Sequence, residues 1–178
     1  MKATGIVRRI DDLGRVVIPK EIRRTMRIRE GDPLEIYTDK DGEVIFKKYS
    51  MIGGLADFAI QICEALQKTT GHVTAVTDRD TVVAAAGIAR RELNGRRVSP
   101  ELEQLMEKRQ IYLREEGRPV LPVAEDSDRH CIAAAAPVLA EGDVIGCVLF
   151  LDGERPMGET EYKLLQTVSS FLGRQMEA

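Results

Sequence analysis

Apolar positions recur with two different periods along this chain, and the change of period divides it. In the first fifty residues the apolar runs are short and strand-like. Gly5–Ile10, with Ile6, Val7 and Ile10, reads as a strand, and the β-branched run Val16-Val17-Ile18 reads as its hairpin partner over Gly14–Ile18. Asp11, Asp12 and Gly14 supply turn chemistry between them, because aspartate can bond its own backbone and glycine accepts positive φ. Pro19 stands where a first helical residue is tolerated, and Ile22 and Met26 share one face of a short helix over Lys20–Met26. After a turn at Arg29–Pro33, Leu34–Thr38 alternates and Val44-Ile45-Phe46 follows. The Asp41-Gly42 pair between them is a hairpin signal. Four strands and one helix in fifty residues bury little surface, and pairing of two copies is a usual remedy.

Beyond Lys47-Lys48-Tyr49-Ser50 the rhythm becomes helical. Ile52, Leu55, Ala59, Ile62 and Leu66 recur at helical spacing, which predicts a helix over Leu55–Lys68 stopped by Gly71. Gly53-Gly54 reads as a hinge. His72–Thr77 and Thr81–Ala86 read as strands, and Gly87–Arg97 as short helix and loop. Ser99 caps a helix that begins at Pro100 and runs to about Arg109, with Glu101 and Glu103 in its favoured acidic first turn. Arg114–Pro119 and Glu125–Arg129 read as polar loops. Cys131–Leu139 and Val144–Leu151 form a core hairpin around Glu141-Gly142-Asp143. Gly158–Gln175 closes the chain as a helix with Tyr162, Leu165, Val168 and Leu172 on one face. The two flanking helices have apolar faces broad enough to pack between copies, the alternative being that each only covers its own sheet. The boundaries are residues 1–50, a linker over 51–55, and a second domain over 56–178.

Charge changes the picture more than composition does. The 178 residues carry a net charge of −3, which taken alone argues against nucleic acid. Residues 1–50, however, hold 12 basic against 9 acidic residues, and residues 51–178 hold 14 against 20. The first 29 residues hold 9 basic and 3 acidic groups. A basic head on an acidic body suits a DNA reader with a separate control domain, the alternative being a solvated charged face. Arg8, Arg9, Arg15, Arg23 and Arg24 are the DNA candidates, since arginine stays charged and offers a planar fork to phosphate or to guanine. Arg8 and Arg9 are neighbours on a strand, so only one of them faces a given side. Lys2 and Lys20 are candidate phosphate contacts. No apolar leader follows Met1, and no window approaches the roughly 20 apolar residues of a membrane span. A cytoplasmic, nucleoid-associated protein is therefore expected.

Thr4-Gly5-Ile6-Val7-Arg8-Arg9-Ile10, the stretch Asp11–Arg24, and Gly31-Asp32-Pro33-Leu34-Glu35-Ile36-Tyr37 resemble the AbrB family of transition-state regulators of spore-forming bacteria. That resemblance implies a dimeric swapped-hairpin β-barrel, double-stranded DNA as partner, and control of sporulation genes as activator or repressor. Arg8, Arg15, Arg23 and Arg24 match the family's DNA-contacting positions. The order of elements after residue 54, with the run Val144–Leu149, resembles a GAF domain. This implies a sensory module that binds a small molecule or sets oligomeric state, although no residue identifies a ligand. The expected fold class is thus α+β: an N-terminal swapped-hairpin AbrB-type barrel and a C-terminal GAF-like α/β sensory domain. The expected assembly is a homodimer through residues 1–50 and a tetramer through the flanking helices.

Two rival functions deserve weighing. An AbrB-type antitoxin would carry a short disordered tail, and the long patterned second half argues against it. A GAF-type thiol enzyme, similar to methionine sulfoxide reductases, would need a reactive cysteine. Cys63, Cys131 and Cys147 fall among apolar residues, lack a Cys-x-x-Cys pair and read as core; only His130 and Arg129 lie beside Cys131. His72 and His130 read as surface or strand-end residues without a metal-ligand spacing. No cofactor, metal site or catalytic residue is expected.

Overall fold

The computed structural model describes residues 4–87, 90–115 and 117–177. Its fold class is α+β, and the chain divides into two compact units, Met1–Tyr49 and Ser50–Ala178.

In the first unit, helix α1 (Lys20–Thr25) precedes the antiparallel hairpin of β1 (Leu34–Thr38) and β2 (Val44–Lys48), whose register runs from Leu34↔Lys48 to Thr38↔Val44. Asp39 shapes the hairpin turn by accepting the N–H groups of Asp41 and Glu43, and Gly42 takes φ 84°. Pro19 is the N-cap residue rather than the first helical one. It is buried, and its carbonyl accepts the Arg23 N–H at 2.9 Å. α1 ends in a Schellman motif: Ile28 N–H donates to Arg23 C=O at 2.7 Å and Arg27 N–H to Arg24 C=O at 3.3 Å. The left-handed position of that motif is usually glycine, yet here Arg27 holds it at φ 51°.

Gly5–Ile10 and Gly14–Ile18, expected as paired strands, are extended without strand pairing in the single chain. A strand needs a neighbour to take its backbone groups, and among the described residues the two stretches meet only at their turn. There Asp11 N–H donates to Arg15 C=O and Gly14 N–H to Asp11 C=O.

The second unit is a layered α/β domain. Its antiparallel sheet has the order β4-β3-β8-β7-β5, built from β3 (Thr74–Asp78), β4 (Val82–Ala86), β5 (Tyr112–Leu113), β7 (Ser127–Ala140) and β8 (Asp143–Leu151), with β6 (Pro122–Ala124) also paired to β7. Helices α2 (Ala56–Thr70) and α5 (Glu159–Met176) cover one face through Ala59, Cys63, Leu66, Leu165 and Leu172. On the other face α3 (Arg90–Leu93) and α4 (Pro100–Glu107) bury Leu93, Leu102, Leu105 and Met106. Ser99 Oγ accepts the Leu102 N–H at 3.0 Å, the cap read from the sequence. Small residues bring backbones close. A Cβ on Gly173 of α5 would lie 2.0 Å from the Leu139 carbonyl oxygen of β7.

Two expectations for this unit are corrected. The segment 51–55 is not a slack linker: Ile52 is fully buried, and Gly53–Leu55 forms a single 3-10 turn leading into α2. Gly53 N–H donates to Ser50 Oγ at 2.8 Å, and a Cβ on Gly53 would meet that side chain. The polar stretch Glu125–Arg129 is mostly strand, because β7 starts at Ser127 and pairs back on β6. Both histidines lie near strand starts, His72 two residues ahead of β3 and His130 the fourth residue of β7. His72 is 4% exposed, its ring 5.6 Å from that of Phe150 and its Nε2 3.7 Å from Glu161 Oε1. His130 lies within β7 with Nε2 2.8 Å from Glu92 Oε2.

Candidate nucleic-acid interface

The first unit positions its arginines with two local devices. The first is the Asp11 turn. Asp11 Oδ1 accepts the N–H groups of Leu13 at 3.0 Å and Arg15 at 2.7 Å, while Oδ2 takes Arg15 Nε at 2.8 Å. The Arg15 backbone N–H, then its guanidinium, hold the Asp11 carboxyl below its ordinary range, because both bonds favour the charged form. Arg15 is thereby fixed at the tip of the turn, with a side chain 70% exposed. The second device is the end of α1. Arg23 and Arg24 occupy its last turn, where the helix dipole favours cations, and both are exposed.

Behind that helix end lies a network that joins distant parts of the chain. Lys48 Nζ donates to Arg27 C=O at 2.8 Å and stands 3.2 Å from Asp32 Oδ2, whose side chain is only 4% exposed. The same Asp32 oxygen accepts the Arg29 N–H at 2.8 Å. Lys48, the last residue of β2, therefore pins the carbonyl of the left-handed Arg27 to the β-hairpin. No sequence signal pointed to Arg27, Asp32 and Lys48 as a unit, since they lie up to 21 residues apart.

Arg8, Arg9 and Lys20 are all exposed, in the extended segment and at the start of α1. Lys2 falls outside the described residues. The apolar residues of the same segment are exposed too: Val7, Ile10, Leu13 and Val17 each show about 70% or more of their surface. Tyr37, Phe46 and Met26 are likewise open.

In the second unit two of the three cysteines lie where thiolate chemistry is disfavoured. Cys63 is fully buried and its thiol is pushed up to about 12, chiefly by burial and further by the Glu64 charge. Burial raises the Cys147 thiol as well. Cys131 is partly exposed. Among the described residues no group of three His, Cys, Asp or Glu side chains could hold a metal ion. A shallow cleft between α4 and the β7–β8 turn is lined by Arg79, Met106, Arg109 and Asp143 with charges of both signs. No helix of the described residues is long and apolar enough to cross a membrane.

A basic hairpin-and-helix head joined to an acidic α/β unit defines a DNA-binding transcription regulator. Residues 54–177 match the family described as stage V sporulation protein T C-terminal, transcription factor. Along its whole length the chain is 49% identical to stage V sporulation protein T of Bacillus subtilis, covering 99% of each protein. The chain belongs to the stage V sporulation protein T family. Its head is 65% identical to the N-terminal DNA recognition domain of the Bacillus subtilis regulator AbrB, over 28% of this chain and 91% of that solved structure, with a TM-score of 0.25. Residues 7–52 also match the family described as antidote-toxin recognition MazE, bacterial antitoxin. An Aquifex aeolicus nlh2 GAF domain structure is 12% identical over 67% of this chain and 82% of that one, with a TM-score of 0.47.

Proposed function

We propose that two copies of the head exchange their 5–18 hairpins to close one barrel. In this reading Arg8, Arg15, Arg23, Arg24, Lys2 and Lys20 then hold the phosphate backbone of duplex DNA, with Arg9 on the opposite side of its strand. The observation that carries this reading is the exposure of Ile6, Val7, Ile10, Leu13, Val16 and Val17 beside a preformed Asp11–Arg15 turn. Burial of such residues stabilises by about 1.5–3 kcal/mol each, and a second copy supplies both that burial and the missing strand partners. AbrB's recognition domain, so similar in sequence, supports the same role here.

The second unit acts as a regulator and performs no chemistry, a reading supported by its buried Cys63 and Cys147 thiols. Helices α2 and α5 extend the dimer to a tetramer. Phe58 and Phe171 pair across them at 6.0 Å, and Phe171 remains 46% exposed. A small molecule that prefers one packing of these helices shifts DNA affinity by its differential affinity for the two packings. The protein works in the cytoplasm, on the nucleoid.

The test is a fluorescence anisotropy titration of target duplex by the full chain across several salt concentrations. Arg15→Ala and Arg23→Ala should each weaken binding and flatten the salt dependence by about one unit, with sedimentation unchanged. Wild-type slopes in both variants would remove these residues from the site. A folded monomer in sedimentation of the full chain would overturn the exchanged hairpins.

A further inference from the structure

We propose that Arg90, Arg91, Arg96 and Arg97 form a second phosphate-binding surface, on the regulatory unit, that takes the backbone of the same duplex DNA. The proposal rests on the reading that the head binds DNA, and it extends that contact to a unit whose net charge is acidic.

Charge is the first argument. Residues 51–178 carry 20 acidic against 14 basic groups, yet four of those basic groups fall within the eight residues 90–97, where the only acid is Glu92. The carboxylate of Glu92 is occupied by His130 at 2.8 Å. All four arginines are exposed. Arg90 reaches Glu64 at 3.3 Å across half-exposed side chains, a pairing worth little in water. No side-chain ion pair or hydrogen bond of Arg91, Arg96 or Arg97 exists among the described residues, so these guanidinium groups have their donors available.

The frame that carries them is rigid. Leu93 and Val98, on either side of Arg96-Arg97, are fully buried. Gly95 N–H donates to Val82 C=O and Val82 N–H to Arg96 C=O, both at 2.8 Å, so the loop is laced along the start of the edge strand β4. Glu125 N–H donates to Arg97 C=O, and Val98 N–H to Asp80 C=O. Side chains presented from such a frame lose less entropy on binding than those of a slack loop.

The chemistry of the surface points to a nucleic-acid backbone rather than an acidic polypeptide. Peptide docking depends on apolar or aromatic anchors in pockets, and the one large apolar side chain among residues 90–97, Leu93, is buried in the core. What remains outside is four guanidinium groups in two adjacent pairs, with Glu92 held by His130 and the neutral Asn94 between them, and a duplex offers continuous charge at about one phosphate per 1.7 Å of axis. Arginine's planar fork matches phosphate geometry.

The experiment compares full-length protein with a triple variant, Arg91→Gln with Arg96→Gln and Arg97→Gln, by anisotropy against target duplex between low and high salt. Three lost phosphate contacts flatten the slope of log affinity against log salt by about three units and weaken binding by about two orders of magnitude at about 0.15 M salt. A charge-matched variant, Lys108→Gln with Arg118→Gln and Lys163→Gln, keeps the wild-type slope if position matters. Thermal melts confirm that both remain folded, as exposed substitutions should. A wild-type slope in the first triple variant overturns the proposal, as does an equal loss in the charge-matched variant. Arg23→Ala, measured beside them, separates the two readings. If it flattens the slope while the first triple variant does not, the head binds DNA and this surface does not; a wild-type slope in Arg23→Ala sinks the head reading itself.

Discussion

Replacing Lys48 with methionine keeps the aliphatic stem and removes the ammonium that ties the end of α1 to the hairpin. The wild-type ammonium donates to Arg27 C=O at 2.8 Å and faces the nearly buried Asp32 at 3.2 Å, with its own side chain 25% exposed. A hydrogen bond from a charged donor contributes roughly 1.5–3 kcal/mol, and breaking a fully buried ion pair costs about 3–5 kcal/mol. The partial exposure of Lys48 sets the expectation at the low end, about 2 kcal/mol. Because Arg27 already sits in a left-handed conformation, the Schellman turn should be the first structure to open. Hydrogen exchange reads this directly at the amides of Ile28, bonded to Arg23 C=O, and Arg29, bonded to Asp32. A local loss of about 2 kcal/mol lowers their protection roughly thirtyfold. DNA affinity should fall as well, although Lys48 is not assigned to the interface, because Arg23 and Arg24 ride on the loosened turn. Asp32→Asn should do much of the same damage, and the double variant should cost less than the sum by about 1 kcal/mol or more. Protection within about twofold of wild type, or strictly additive effects, would refute the view that Lys48 holds the helix end through Asp32 and Arg27.

Gly173→Ala should lower the melting temperature by roughly 5 °C in a circular dichroism scan, because overpacking costs about 1–3 kcal/mol and each kcal/mol shifts a chain of this size by about 2–4 °C. The added methyl would meet the Leu139 oxygen at 2.0 Å; alanine's better helix propensity, about 1 kcal/mol, works against this, so an unchanged or raised melting point would refute the close contact. The Asp11 carboxyl, depressed from the ordinary 3.8, supports its turn above that value, and the support disappears as pH falls through the lower folded value. In Arg15→Ala the backbone bond persists and the side-chain bond is lost, so NMR titration should find Asp11 moved part of the way back up; an unmoved Asp11 would contradict the pairing. A disulfide reagent should modify native protein at Cys131 alone, with Cys63 and Cys147 reacting only after denaturation; prompt labelling of Cys63 would show that its burial is wrong.

The parts of this fold written in local pattern were legible. The β1–β2 hairpin follows from alternation and Asp41-Gly42, α4 from its Ser99 cap, and the β7–β8 hairpin from two apolar runs around Glu141-Gly142. What escaped depends on distant partners. β5 and β6 are two and three residues long, with no period to detect. Ile52 looked like linker because nothing local shows that it fills the core. Val7 and Val17 read as strand residues, yet a single chain offers them no strand to pair with. The arginines are proposed from residue type and motif, whereas the Asp11 and Lys48 devices that position Arg15 and α1 emerged only from side-chain geometry.

The strand order of the regulatory unit also bears on how the protein is made. β8 lies between β3 and β7 and pairs with both, although β3 is complete some 65 residues before β8 begins. Until the ribosome has delivered Leu151, β3 and β7 each face solvent with an open edge, and β7 holds the run Ala133–Ala136, whose intrinsic preference is helical. A nascent chain therefore cannot assemble this sheet progressively from its N-terminus. The head emerges more than a hundred residues earlier, so the head pairing proposed above could begin on polysomes while the second unit's sheet is still unclosed. A transcript cut short before β8 would yield chains displaying unsealed strands, and the proposed pairing of their heads would bring such strands together, a combination that favours aggregation.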